Sequence, residues 1–271
     1  MRPRFYPSLV NGAFGDAALY IDLLMERRAI LFDLGDISPL PPRSVLRVSD
    51  IFVSHTHIDH FAGFDRLLRL LVGRPKTVRL YGPPGFIRNV EGKLAAYTWN
   101  LVDRFEDDLV FSVTELDGTA RVRRVRLRLK ARFAREAEET VDVTHGVLRD
   151  EPSLKVRCAV LDHRTPCLAF AIEEPKHVNV WRNRLDERGL STGPWLASLK
   201  RAIYEDRPDD TPVALPGGGT LPLGELRRSV VSETPGQKIA YVTDAAYTPA
   251  NAAAVVALAG SADILFIEAA F

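Results

Sequence analysis

The stretch Ser54-His55-Thr56-His57-Ile58-Asp59-His60 places three of the chain's six histidines within six residues, with a carboxylate among them. Imidazole nitrogen and carboxylate oxygen are ligands for borderline divalent cations. Zn²⁺ suits that mixture, with Mn²⁺ or Fe²⁺ as alternatives. Along an extended loop His55, His57 and Asp59 point one way and His60 another. The spacing therefore suits a pair of ions, His55 and His57 on one, Asp59 and His60 on a second a few ångströms away. The alternative is a histidine-rich surface turn, but a packed strand end would not carry four polar ligands unpaired, because burying them without partners is costly.

The flanking residues say what holds this cluster. Asp50-Ile51-Phe52-Val53-Ser54 reads as a short buried strand. Phe61, Phe64, Leu67, Leu68 and Leu71 then recur at helical spacing, with Gly73 as the stop. The cluster thus occupies a strand-to-helix turn. Two further histidines end strands: His145 after Glu139 to Val143, and His163 after Lys155 to Leu161. The residues alone leave either free to supply a third nitrogen. Gly236 to Asp244 is a strand that ends on a carboxylate, and the two oxygens of Asp244 can bind two cations at once.

His-x-His-x-Asp-His after an apolar strand resembles the metallo-β-lactamase superfamily, and within it the chain is most similar to ribonuclease Z, the tRNA 3′-processing endonucleases. The likeness runs from about Asn11 to Phe271. Tyr81-Gly82-Pro83-Pro84-Gly85 is similar to a turn of that family, and Leu161-Asp162-His163-Arg164-Thr165-Pro166 to the segment whose histidine completes the first metal site. The resemblance selects His163 over His145, which then lines the cleft. It makes Asp244, in Tyr241-Val242-Thr243-Asp244, the ligand that bridges both ions. It lets Asp33, in Asp33-Leu34-Gly35, orient a ligand histidine, the alternative being a turn cap. Arg164 would lie near the metals and hold a substrate phosphate. Leu34-Gly35-Asp36-Ile37-Ser38 departs from the family's Gly-Glu-Gly-Thr-Gln-like run, and Ala245 stands where members have Thr after the bridging Asp. Family members carry a further histidine-containing helix and a last ligand histidine beyond the final strand; here no histidine follows His177, so the second metal position is expected to be incomplete and to bind more weakly.

At 271 residues and 46% hydrophobic content, the chain can bury one substantial core. Net charge +1 gives no global attraction to nucleic acid. No apolar run approaches the ~18 residues of a membrane span, and no apolar stretch follows Met1-Arg2-Pro3-Arg4, so no membrane anchor or secretory signal is expected. Cys158 and Cys167, without metal-site spacing, read as reduced thiols of a cytoplasmic protein. Ala18 to Leu24 and Ala29 to Leu34 read as paired strands, and a helix is expected from about Phe86 to Leu101. In Arg121 to Lys130, Arg124, Arg126, Arg128 and Lys130 alternate with Val125, Leu127 and Leu129, a strand with an apolar inner face. Its cationic face either meets RNA phosphates or is solvated and offset by Glu136, Glu138 and Glu139. Residues 175–233 are rich in Pro and Gly and read as an inserted loop or arm. There the resemblance makes Lys200 and Arg201 backbone contacts of a tRNA-gripping arm. The alternative is a lid or rim on the domain. His177 reads as a solvated loop residue.

These readings combine into one metallo-hydrolase domain over residues 1–271, a four-layer αββα sandwich of the α/β class, with 175–233 inserted. The resemblance implies a phosphodiesterase with two Zn²⁺ positions, held by His55, His57 and His163 on one side, Asp59 and His60 on the other, and Asp244 between them. Asp59 would orient or deprotonate the attacking water. Precursor tRNA is the expected substrate, and a homodimer is carried over from the family. A small cyclic or other phosphodiester or ester is the alternative substrate. A non-catalytic fragment that only binds RNA or a partner is a third reading.

Overall fold

A computed structural model describes residues 4–24, 26–118, 120–144 and 146–268. The first sheet takes its eight strands in chain order: β1 (Phe5–Leu9), β2 (Leu19–Leu23), β3 (Arg28–Phe32), β4 (Val48–Phe52), β5 (Lys76–Gly82), β6 (Leu109–Asp117), β7 (Arg121–Arg128) and β8 (Glu139–Asp142). Its centre, β3 to β6, is parallel. Parallel neighbours need crossovers, and these carry α1 (Pro42–Val45), α2 (Ile58–Phe61), α3 (Phe64–Leu71) and α4 (Phe86–Ala95). The helix expected to reach Leu101 ends at Ala95, where the Trp99 indole N–H donates to the Leu94 carbonyl at 2.8 Å and turns the chain.

The chain then enters a second sheet with β9 (Val147–Glu151), β10 (Leu154–Asp162) and β11 (Pro166–Glu173). The next stretch holds β12 (His177–Val180), α5 (Arg182–Glu187), α6 (Trp195–Tyr204), β13 (Pro212–Ala214), β14 (Thr220–Pro222), α7 (Leu223–Val230) and β15 (Val231–Thr234). Composition suggested loop; the segment is instead built around its own apolar cluster, which includes Val178, Leu199, Ile203, Leu223, Leu226 and Val230. The second sheet resumes with β16 (Lys238–Val242). After α8 (Pro249–Ala259), β17 (Ile264–Ile267) completes the order β17-β16-β11-β10-β9. Residues 269–271, the end of the expected last strand, lie outside the described residues.

Side-chain alternation stacks these pieces into four layers. Phe64, Leu67 and Leu71 of α3 and Val90 and Leu94 of α4 cover the outer face of the first sheet, on Leu31, Ile51, Val78, Phe111 and Val125. The opposite faces of the two sheets meet through Phe32, Phe52, Tyr81, Phe170, Ile172 and Tyr241. In β11 the residues between the inward Leu168, Phe170 and Ile172 are Ala169 and Ala171. Their small side chains let Leu258 of α8 lie close on the outer face. The expected αββα sandwich is the observed fold.

Strand direction decides where the chemistry falls. β3 and β4 run together, so Asp33 and Ser54 leave the same end of the first sheet. β10 and β16 are both antiparallel to β11, so their C-terminal ends, at Asp162 and Val242, coincide. The Leu168 N–H donates to the Ser54 carbonyl at 2.8 Å and joins the two ends.

Candidate metal centre

At the first strand end, His57 is still extended but Ile58 to Ala62 is helical. The Ala62 N–H donates to the Ile58 carbonyl at 2.8 Å and closes one helical turn, which swings Asp59 to the side of His60 rather than of His55 and His57. The turn is seated by glycines: a Cβ on Gly63 would lie 2.1 Å from the Gly35 carbonyl oxygen, and one on Gly35 would lie 2.3 Å from that of Asp59. No other residue permits that approach.

Two groups of ligand atoms result, each spanning no more than 4.8 Å: His55, His57, His163 and Asp244, and Asp59, His60 and Asp244. His55 Nε2 lies 2.9 Å from His57 Nδ1. The Asp244 Oδ2 atom lies 3.1 Å from His60 Nε2, 3.4 Å from His55 Nε2 and 3.7 Å from His163 Nε2. His60 Nε2 is 3.5 Å from Asp59 Oδ2. Asp244 thus belongs to both groups. His55 and His60 are buried, whereas Asp59 is exposed at the rim.

A buried polar hub holds this arrangement from behind. The Asp33 carboxylate, fully buried, accepts from the Ser54 N–H at 2.6 Å, the Ser54 hydroxyl at 2.8 Å and the Tyr241 hydroxyl at 3.0 Å. It also faces His60 Nδ1 at 2.9 Å. With Nδ1 held by Asp33, Nε2 is the atom turned toward Asp244 and the one that would ligate a cation, so Asp33 sets the ring plane. Asp33 has φ 58°, the left-handed conformation that short polar side chains tolerate. On the other side, Asn89 Nδ2 of α4 donates to the Thr56 hydroxyl at 2.7 Å, between His55 and His57.

The two buried rings titrate in opposite directions. Burial, then the neighbouring His60, pushes His55 down to about 4 and keeps its nitrogen lone pairs free. Burial also opposes charge on His60, but the hydrogen bond and charge of Asp33, with Asp59 and Asp244, raise it to about 9. Three carboxylates face this one ring, Asp33 at Nδ1 and Asp59 and Asp244 at Nε2, and a cation bound at Nε2 would take the place of the proton there.

His163 and Arg164 form the β10–β11 hairpin tip. The Arg164 N–H donates to Asp162 Oδ1 at 2.8 Å, which makes Asp162 the organiser of its own turn. Arg164 takes φ 60° there and, with His57, His163, Thr165 and Ala246, lines an open cavity of about 580 Å³ in front of the cluster. His145 lies outside the described residues. Lys200 and Arg201, on α6, are not brought to the cluster. Lys200 is half-buried, where burial, then Arg4, lowers its pKa, while Arg201 is exposed. His177 is not a solvated loop residue: it lies on β12 with Nδ1 3.0 Å from the buried Glu174 carboxylate. The cationic face of β7 is offset by acids, with Arg123 on Glu115, Arg128 3.2 Å from Asp108, and Arg126 3.8 Å from Glu136. Sequence reasoning left the Ser54 and Tyr241 hydroxyls, Thr56 with Asn89, and Glu268 unassigned. Glu268 follows β17, which is parallel to β16, and its carboxyl is pushed up by burial and by Asp244. The parallel pairing that puts it at this end is a tertiary fact, not a local signal.

Comparison with known proteins follows the same lines. The family model for the beta-lactamase superfamily domain matches residues 28–181. Ribonuclease Z of Deinococcus radiodurans is 31% identical over 261 residues, covering 94% of this chain and 76% of that protein. Ribonuclease Z of Prochlorococcus marinus is 30% identical over 264 residues, 94% of this chain and 69% of that one. The Brevibacillus brevis ribonuclease Z is 26% identical, with 63% of its length covered. Among solved structures, the short form of human tRNase Z aligns with a TM-score of 0.39 at 18% identity, over 63% of this chain and 61% of that chain.

Proposed function

The chain belongs to the metallo-β-lactamase superfamily and within it to the ribonuclease Z family, and from that premise we propose that it is a metal-dependent endoribonuclease cutting precursor tRNA on its 3′ side. The observation that carries the reading is the sharing of Asp244 between two ligand groups at one cavity mouth. The donor chemistry fits divalent cations. Imidazole and carboxylate atoms converge, His55 is held neutral, and His60 is aimed by a buried carboxylate. His55, His57, His163 and Asp244 would hold one Zn²⁺, and Asp59, His60 and Asp244 a second. Such ions supply Lewis acidity: they polarise a phosphoryl oxygen and acidify a water toward neutrality.

The chain's own residues do the rest. Asp59, exposed at the rim beside His60, is the carboxylate placed to orient the water and take its proton. Asp33 keeps His60 from turning. Arg164, on the cavity wall, holds a non-bridging phosphate oxygen of the substrate. Residues 175–233 act as an arm inserted in the single domain 1–271. Their own apolar cluster supports that assignment, and Arg201, exposed on α6, is the better backbone contact of the Lys200–Arg201 pair.

A second reading, hydrolysis of a small phosphodiester, is favoured by the paired cations of β7, which leave little free positive charge on that face. Cleavage of a precursor tRNA at increasing salt separates the two. Steep loss with salt, and competition by bulk tRNA, fit the first. Salt-insensitive turnover of a small diester, without RNA cleavage, would replace it by the second.

A further inference from the structure

α8 reads Pro-Ala-Asn-Ala-Ala-Ala-Val-Val-Ala-Leu-Ala, and Asn251 is its one hydrogen-bonding side chain. A lone amide in such a helix is expected to face water. Asn251 is instead 6% exposed, turned under the helix toward the ends of β10 and β16. Nδ2 donates to the Asp162 carbonyl at 2.8 Å and to the Ala246 carbonyl at 2.7 Å, and Oδ1 accepts from the Asp162 N–H at 2.9 Å. Both Nδ2 hydrogens are used, and the side-chain oxygen is satisfied.

The two segments it joins are those that carry the centre. Asp162 precedes His163, and Ala246 lies two residues after Asp244. The ladder cannot make this connection by itself. Asp162 stands opposite Pro166 at a non-hydrogen-bonded position of the β10–β11 ladder, so its N–H and its carbonyl both turn away from β11, the N–H to Asn251 Oδ1. That carbonyl receives Asn251 Nδ2 and the Ala246 N–H, the latter at 2.8 Å. The main-chain bond is single and on its own leaves the two loops free to pivot. The Asn251 amide adds three bonds around it and closes the joint. Thr248 fixes the amide in turn, its hydroxyl accepting the Asn251 N–H at 3.1 Å as the helix cap.

We infer that Asn251 is a positioning residue of the metal centre: its side-chain amide clamps the His163 loop to the Asp244 loop and so sets the spacing of those two ligands. The inference rests on the metal-centre reading above. It assigns the residue no contact with metal or substrate. His55 and His57 come from the other sheet, so a loosened clamp would lower affinity where His163 and Asp244 must act together, without unfolding the sandwich.

The test compares Asn251→Ala with Leu258→Ala, which weakens the same helix through its apolar contact and leaves the clamp intact. Each full-length chain is titrated with Zn²⁺ against a competing chelator, and with Co²⁺ followed by its visible absorption, which reports the ligand geometry. Thermal unfolding is recorded alongside. Asn251→Ala is expected to bind Zn²⁺ at its tightest site about 10-fold more weakly, the low end of the loss when an outer support of a metal site is removed. An altered Co²⁺ spectrum is expected with it. Leu258→Ala is expected to be destabilised but to keep wild-type affinity and spectrum. If Asn251→Ala does not fold, Asn251→Ser, which keeps one donor and one acceptor, takes its place with the same expectation. Wild-type affinity and spectrum in the Asn251 variant would overturn the inference, as would an equal loss in Leu258→Ala, since the effect would then follow stability alone. Failure of the wild-type chain to take up either ion would overturn the metal-centre reading, and this inference with it.

Discussion

Replacing Asp33 by Asn changes one atom and removes one charge, at a site where both matter. The two oxygens of Asp33 meet the Ser54 N–H at 2.6 Å, the Ser54 hydroxyl at 2.8 Å, His60 Nδ1 at 2.9 Å and the Tyr241 hydroxyl at 3.0 Å. Asn has one acceptor oxygen in place of two. If that oxygen faces Ser54 Oγ, His60 and Tyr241, the NH₂ opposes the Ser54 N–H; turned round, it opposes the other three. The first arrangement is cheaper and still leaves a buried donor unmet, at about 1–3 kcal/mol. The bonds that remain lose their charge assistance, and His60 loses its buried partner. Together about 3–5 kcal/mol is expected, the range for breaking a buried ion pair. Backbone strain does not enter, because Asn accepts the φ of 58° as readily as Asp. Urea unfolding of the metal-free chain, followed by fluorescence, gives the loss from the midpoint at unchanged m-value. A loss within about 0.5 kcal/mol, the size of a surface substitution, would refute the hub.

Gly63→Ala sets a Cβ 2.1 Å from the Gly35 carbonyl oxygen, between backbones that cannot yield, and is expected to cost about 1–3 kcal/mol, read as a lowered Tm; an unchanged Tm would contradict the close approach. Arg164→Gly relieves about 1 kcal/mol of left-handed backbone cost, offset in part by the entropy of glycine, so Tm is expected to change little. In the same variant KM for RNA is expected to rise roughly tenfold or more, the worth of a charge-assisted hydrogen bond, and an unchanged KM removes Arg164 from substrate binding. Burial would raise the Glu151 carboxyl, but Arg28 and Arg149 outweigh it and hold it below its ordinary 4.5. A depressed acid contributes stability above its unfolded pKa and loses it as pH falls through the folded value. Urea midpoints measured down through the carboxylate range are therefore expected to fall less steeply in Glu151→Gln than in the wild type, and parallel curves would show that the pair contributes nothing.

What could be read in the chain was what is local. The ligand types and their spacing at residues 55–60 and the apolar strand before them are short-range patterns, and each has its counterpart in the structure. Periodicity misled at Asp59, where an extended loop was expected. The Gly35–Gly63 contact that seats the helical turn joins residues far apart in sequence. The same limit hid Tyr241 against Asp33, which meet only across the two sheets, and Asn251 against Asp162, which meet only when α8 packs on the second sheet. Composition misled at 175–233, since Pro and Gly at the turns concealed an apolar cluster spread over three helices. At β7 the offset expected from Glu136 and Glu138 is present, and Glu115 and Asp108 add partners that the local pattern did not show.

The central claim is that one carboxylate, Asp244, serves two cation positions. Its most direct test is the Zn²⁺ content of the full chain at saturation, with and without Asp244→Ala. The account predicts two ions per wild-type chain, the one at Asp59, His60 and Asp244 the weaker because fewer groups hold it, and a loss at both positions in the variant. A wild-type chain that takes up no Zn²⁺, or an Asp244→Ala chain that retains the wild-type content, would contradict it.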